Sequence, residues 1–251
     1  MFGFKGQSKK EIYSFSWKEQ KTKLFIYHEK RENSRVSITK TGIHIRLPLY
    51  LSAVEQEHQI AKFIDWVKAR LEEKPQVLVP KYRSFKDQEN LELYDKTYTL
   101  NIRKSSAIEK PIIAAKSDSL HFVLPAELQQ EEEAAVVSKL LAKKLGKLYK
   151  LKIWEKLRKF NTLHQFGELK SLSMKNNSSN WGSCSSKGNI NISVRLLLAP
   201  EKVLDYVLIH ELAHLKEQNH SAKYWQIVKL ACPDYKNHEL WLKTNAKNCI
   251  I

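Results

Sequence analysis

Apolar and polar residues change their period along this chain, and each change marks an element. Val36 and Ile38, then Ile43, Ile45 and Leu47, alternate with polar residues on either side of Thr41-Gly42. Period two broken by a glycine turn predicts a β-hairpin, and the apolar run at 24–27 predicts a strand before it. Ser52 and Glu55 form a capping box. They open a helix whose apolar face is Val54, Ile60, Phe63, Ile64, Val67 and Leu71, and Pro75 and Pro80 close it. Two further strand pairs follow: 91–93 with 98–102 around Asp95-Lys96, and 112–114 with 121–123 around Asp118-Ser119.

After Pro125 the period lengthens. The acids at 131–133 suit the positive end of a helix dipole. Leu140, Leu141, Leu145, Leu148, Trp154, Leu157 and Phe160 then recur every three or four residues, with lysines between them. Gly146 falls inside this helix as a candidate bend or break. Residues 169–174 alternate as a strand, 176–179 form a polar loop, and 181–184 with 189–194 predict a second hairpin. Pro200 and Glu201 start a helix carrying Val203, Leu204, Val207, Leu208 and Leu212, which predicts burial. No repeat is evident. The expected class is α+β, with a β-rich region and one helix at 1–124 and a second domain at 125–251.

Composition narrows the class. The chain has 251 residues, 42% hydrophobic and 28% charged, as folded domains do. No stretch is apolar for long enough to cross a bilayer, and residues 1–10 carry lysines without the apolar run of a secretory signal. Cys184, Cys232 and Cys249 are too scattered for a disulfide framework. A cytoplasmic protein without a membrane partner is expected. The net charge of +16 favours polyanions. Between Lys139 and Lys175 eleven basic residues stand against two acids, more than half of that excess. This segment is a candidate surface for a nucleotide or nucleic acid, set against the plainer expectation of a solvated helix face.

The chemistry-bearing residues lie in the helix that Pro200 starts, in the order His210-Glu211-Leu212-Ala213-His214. Residues four apart share a helix face, so two imidazoles can reach one ion. Glu211 lies beside that ion, where a carboxylate can take a proton from water. Ionisable groups in an apolar helix are costly to bury without a partner. His220 becomes a third ligand if the helix stops near 217–219 and Asn219 supplies a left-handed turn. Glu239, on a segment that His238 opens, is the rival third ligand. Three protein ligands leave an open position for water, the arrangement of catalytic zinc, so one zinc ion per chain is expected.

Trp181-Gly182-Ser183-Cys184, Gly188-Asn189-Ile190, Arg195-Leu196, Ala199-Pro200, the HELAH segment at 210–214, Asn219-His220-Ser221 and Tyr224-Trp225 together resemble the YgjP-like metallopeptidase family. SprT-like and WLM proteases are more distant relatives. The resemblance implies a zincin-like catalytic core around the HExxH helix. It makes His210, His214 and His220 the metal ligands and Glu211 the general base. Family members carry an arginine before the WGSC tryptophan, and here Asn180 stands there.

Trp181, Arg195 and Tyr224 are further candidates for substrate binding. Trp181 and Cys184 lie on a strand whose edge can pair with an extended peptide. Arg195 can hold an oxyanion or carboxylate, and Tyr224 can donate a hydrogen bond. Each has a plain alternative: core packing for Trp181 and Tyr224, a structural ion pair for Arg195, and an inert thiol for Cys184. Three functions compete. The first is a zinc-dependent metallopeptidase acting on a peptide or protein. The second is a metal-dependent phosphohydrolase acting on nucleotides. The third is a basic nucleic-acid-associated protein with a structural metal. The motif set carries the peptidase furthest.

Overall fold

Strand alternation builds the same sheet topology twice in this chain. The structure, a computed structural model, describes residues 8–18, 20–39, 41–73 and 82–251, so Pro75 and Pro80 lie outside the described residues. The chain divides into two compact units, Met1–Lys81 and Tyr82–Ile251.

In the first unit, β1 (Lys9–Trp17), β2 (Gln20–Glu29), β3 (Arg35–Thr39) and β4 (Gly42–Pro48) form a sheet in the order β1-β2-β4-β3. The outer pairs are antiparallel and the central pair, β2 with β4, is parallel. Leu24, Ile26, Ile43, Ile45 and Leu47 form a core with Phe15 and with Val67 and Leu71 of α1 (Ala53–Glu73). The capping box forms as expected: the Ser52 amide donates to the Glu55 carboxylate at 2.7 Å, and the Glu55 amide donates to the Ser52 hydroxyl at 3.4 Å.

The second unit opens with β5 (Glu89–Glu92), β6 (Thr97–Ser105), β7 (Ile112–Lys116) and β8 (Ser119–Pro125), in the order β5-β6-β8-β7 with the same pairing directions. A long helix again follows, α2 (Gln130–His164). Four strands and a helix therefore occur twice, a repeat that the sequence does not display. Leu91, Leu100, Leu120, Phe122 and Leu124 share one core with Val137, Leu141, Leu145, Ile153 and Leu157 of α2. This shared core corrects the expected boundary. The chain divides after Lys81 and not after residue 124, because the second sheet covers its apolar face with α2.

Helix α2 runs unbroken through Gly146. A Cβ there would meet Val194 Cγ1 at 3.4 Å and the Met174 carbonyl at 3.5 Å, so this glycine serves close packing and not a bend. Lys143, Lys147 and Lys150 are exposed. Lys152 pairs with Asp95 at 2.7 Å, and Lys156 pairs with Glu201 at 2.6 Å and Asp205 at 2.9 Å. Part of the basic segment is thus neutralised within the fold, and much of the rest lies on the outer face of α2.

A third sheet contains β9 (Ser171–Lys175), β10 (Gly182–Cys184) and β11 (Asn189–Ser193), with β11 central. A 3-10 turn, Val194–Leu198, leads into α3 (Glu201–Ala213), which packs against α2, β10, α4 (Ala222–Ala231) and α5 (Tyr235–Asn245). Among the described residues no helix is long and apolar enough to cross a membrane.

Candidate active site

Helix α3 is the middle of the second unit, and most of its residues are buried. An apolar helix with neighbours on every side forms because each face finds a core partner. His210 and Glu211 on it, and His214 at its C-cap, are carried inward by that packing. Glu211 keeps 4% exposure and His214 9%.

The helix ends at Ala213, earlier than the expected 217–219. The Lys216 and Glu217 amides donate to the Ala213 carbonyl at 3.0 and 3.1 Å, and the Ser221 amide donates to Asn219 at 2.8 Å. These bonds turn the chain with no residue between His214 and His220 in the left-handed region, so the turn assigned to Asn219 is not made that way. Ser221 then caps α4, its hydroxyl accepting from the Tyr224 amide at 3.2 Å. The cap sets His220 directly before a fixed helix start.

One nitrogen each from His210, His214 and His220 lie within 4.8 Å of one another. The Nε2 atoms of His210 and His220 are 3.2 Å apart. Two nitrogens sharing one tetrahedral zinc ion stand about 3.4 Å apart, so this donor set fits such an ion. His214 Nδ1 faces the Glu217 carbonyl at 3.2 Å, which fixes the ring and leaves Nε2 as the free donor. Burial, followed by the neighbouring imidazoles, lowers the His210 pKa to about 3, and burial also lowers that of His214. Both rings are therefore neutral, the form that binds metal.

Glu211 Oε2 and His210 Nδ1 are buried without a hydrogen-bond partner among the described residues. Burial pushes the Glu211 carboxyl up to about 8. A nearby dication supplies what this carboxylate lacks, because an opposite charge favours the ionised form. The carboxylate also rests on Gly182. A Cβ there would lie 2.5 Å from Glu211 Oε1 and 2.7 Å from its Cγ. Gly182 is not among the positive-φ glycines, so space alone demands it. An isolated glycine in a strand signals close approach of another group, and this was the sequence cue for it.

A cavity of about 640 Å³ opens onto His210, Glu211 and His220. Trp181, Val207, Trp225, Leu242 and Ala246 give it an apolar wall. Asn180 lines it with a neutral amide where the family arginine would stand. Glu239 also lines it but pairs with Lys243 at 2.8 Å and stands outside the histidine cluster. The rival third ligand is thus a wall residue.

Two substrate-binding expectations are corrected. Tyr224 has no exposure, and its hydroxyl donates to the His210 carbonyl at 2.9 Å, so it braces the helix. Among the described residues Arg195 makes no ion pair, and it faces backbone carbonyls. Its guanidinium donates to the carbonyls of Cys249 at 2.6 Å, Ala246 at 3.0 Å, and Asn177 and Ser178 at 3.2 Å. It also lies 4.6 Å from the Trp181 ring centroid. It ties the C-terminal segment to the loop before Trp181. Trp181 does line the cleft, and β10 beside it is an edge strand. Burial and the neighbouring Glu211 push the Cys184 thiol up to about 11, which keeps it protonated.

A family model for the YgjP-like metallopeptidase domain matches residues 32–245. No curated protein matches significantly. Among solved structures the chain is similar to the zymogen of the Pyrococcus abyssi metallopeptidase abylysin. That match has 24% identity and a TM-score of 0.36, over 39% of this chain and 99% of that one.

Proposed function

The chain belongs to the YgjP-like metallopeptidase family, and we propose that it is a zinc-dependent peptidase with His210, His214 and His220 as ligands and Glu211 as general base. One observation carries the reading. Three imidazole nitrogens within 4.8 Å of one another stand beside a buried carboxylate oxygen that has no hydrogen-bond partner among the described residues.

When bound, zinc supplies a Lewis acid that polarises the scissile carbonyl and makes water more acidic. Glu211 accepts the proton of the attacking water at its carboxylate and passes it to the leaving amine as the C–N bond breaks. Gly182 and the packed walls of α3 fix that carboxylate in place. The edge of β10 gives an extended peptide a backbone to pair with, and the apolar wall receives a side chain. A phosphohydrolase would need free cations in the cleft. Lys243 in its lining is already paired with Glu239, which favours the peptide.

The test is metal analysis of protein grown in defined medium, followed by mass-spectrometric profiling on a peptide library. Wild type should hold one zinc per chain and cleave. Glu211→Gln should keep the zinc and lose about a hundredfold or more in rate. A wild type without metal, or a Glu211→Gln variant with full activity, overturns the reading.

A further inference from the structure

Helix α3 stops at Ala213, so the carbonyls of its last turn, from His210 to Ala213, have no amide ahead of them within the helix. The loop that follows serves two of them. The Leu215 amide donates to Leu212 at 2.9 Å, and the Lys216 and Glu217 amides donate to Ala213 at 3.0 and 3.1 Å. The His210 carbonyl is served from a different helix, by the Tyr224 hydroxyl of α4 at 2.9 Å. One side chain therefore closes the turn of α3 that begins at His210 and leads to His214.

The ring that carries this hydroxyl packs against each imidazole of the cluster. It stacks on His214 with centroids 4.6 Å apart at 28°. It meets His220 edge-on at 4.7 Å and 71°, and His210 at 5.4 Å and 77°. Trp225 beside it reaches His210 at 6.0 Å and His220 at 5.7 Å, and it lines the open cleft. Among the described residues outside the cluster, only Tyr224 has ring contacts with all three histidines. Its backbone is tied to the same place. The Tyr224 amide donates to the Ser221 hydroxyl, the cap that fixes the start of α4 directly after His220.

Core packing alone asks only for a ring at this position, and phenylalanine would supply one. A hydroxyl with no exposure is a polar group that must find a partner. The partner it finds is the backbone of a histidine in the cluster. Imidazoles free to change rotamer would have to be ordered by the ion they bind, at a cost in affinity. We propose that Tyr224 is a positioning residue for the metal, holding His210, His214 and His220 convergent before an ion arrives. The inference rests on the reading of these three histidines as ligands, and it adds the residue that sets their affinity.

The experiment is a zinc titration of the chelator-treated full chain in competition with a chromophoric chelator, alongside thermal unfolding of the metal-free protein. Tyr224→Phe keeps the ring and loses the hydroxyl, and it should weaken zinc binding about tenfold. Tyr224→Leu loses both and should weaken it further, toward about a hundredfold. Val228→Ala opens a cavity on the same helix, one turn on, without removing an atom from these rings. It should lower the Tm of the metal-free protein as a core truncation does, while its zinc affinity stays within about threefold of wild type, well short of the loss that follows when a ligand's support is removed. Tyr224→Phe removes a single oxygen and keeps the test open if the leucine variant fails to fold. The proposal is overturned if Tyr224→Phe binds zinc within about threefold of wild type, below the range for a supporting group. It is also overturned if Val228→Ala weakens binding as much as Tyr224→Phe does. A wild type that takes up no zinc overturns the ligand assignment and this inference with it, whereas equal uptake by wild type and Tyr224→Phe overturns this inference alone.

Discussion

Replacing Gly182 with alanine drives a methyl group into the Glu211 carboxylate. The added carbon would lie 2.7 Å from Glu211 Cγ and 2.8 Å from its Cδ. Non-bonded carbons settle at about 3.5–4.0 Å, so one of the two residues must shift by about 1 Å. Glu211 cannot swing away cheaply, because it is buried with 4% exposure on a helix packed on every side. A displacement of that size in a catalytic group costs roughly a hundredfold in rate, or about 2.7 kcal/mol of transition-state stabilisation. Overpacking also costs about 1–3 kcal/mol of stability, less a few tenths regained from the stiffer unfolded chain.

The two effects can be separated. Peptide cleavage should fall in kcat about a hundredfold for Gly182→Ala while zinc content stays at the wild-type level, because no ligand is touched. Urea unfolding gives a second readout that needs no substrate. In a Glu211→Ala background the clash has no partner, so the stability cost of Gly182→Ala should vanish. An equal cost in both backgrounds would refute the steric argument. So would a Gly182→Ala enzyme within about threefold of wild type when Glu211→Gln is inactive.

Other consequences follow from the same packing. Chelation should lower Tm by about 5–10 °C, because metal present at a hundredfold over its Kd contributes about 2.7 kcal/mol and a unit of this size shifts 2–4 °C per kcal/mol. Calorimetry showing the same Tm with and without chelator would contradict that. Arg195→Ala should cost about 2–4 kcal/mol by freeing the C-terminal segment, and Arg195→Lys should not restore it, since an ammonium cannot span four carbonyls; denaturant midpoints decide this. Gly146→Ala should stabilise by up to about 1 kcal/mol through helix propensity, the added Cβ meeting Val194 at 3.4 Å, whereas Gly146→Leu should destabilise. Cys184 and Cys249, pushed up to about 11, should resist alkylation near pH 7.5, with rates rising about tenfold per pH unit toward pH 10 as thiolate forms.

Much of the candidate site was legible because it is local. His210, Glu211 and His214 lie within one turn of a helix, where spacing alone fixes direction. His220 needed a turn; the structure brings its ring beside the other two, by a turn that uses no left-handed Asn219. Strand β1 escaped notice because among Ile12, Tyr13 and Phe15 only Phe15 is buried, leaving no alternation to read. Arg195 shows the limit of residue chemistry. A guanidinium suggests a carboxylate, and nothing in the chain indicates that four backbone carbonyls would surround it from segments far away in sequence. The boundary at residue 124 failed for a related reason. The change from strands to helix at Pro125 is real, but a change of element is not an end of packing, and α2 completes the core that β5–β8 begin.

The repeated sheet explains why function was harder to read in the first unit than in the second. Both sheets bury aliphatic residues on alternate positions, so the pattern that specifies the fold is nearly the same in each. That pattern cannot distinguish a scaffold from a binding surface. What differs is the other half of each strand: Phe25, Tyr27 and His44 in one unit, Asn101, Arg103 and His121 in the other. Those positions carry no packing duty toward α1 or α2, so the fold leaves their identity free. The +16 net charge has the same logic. Lysines on the outer face of α2 are accounted for by a solvated helix.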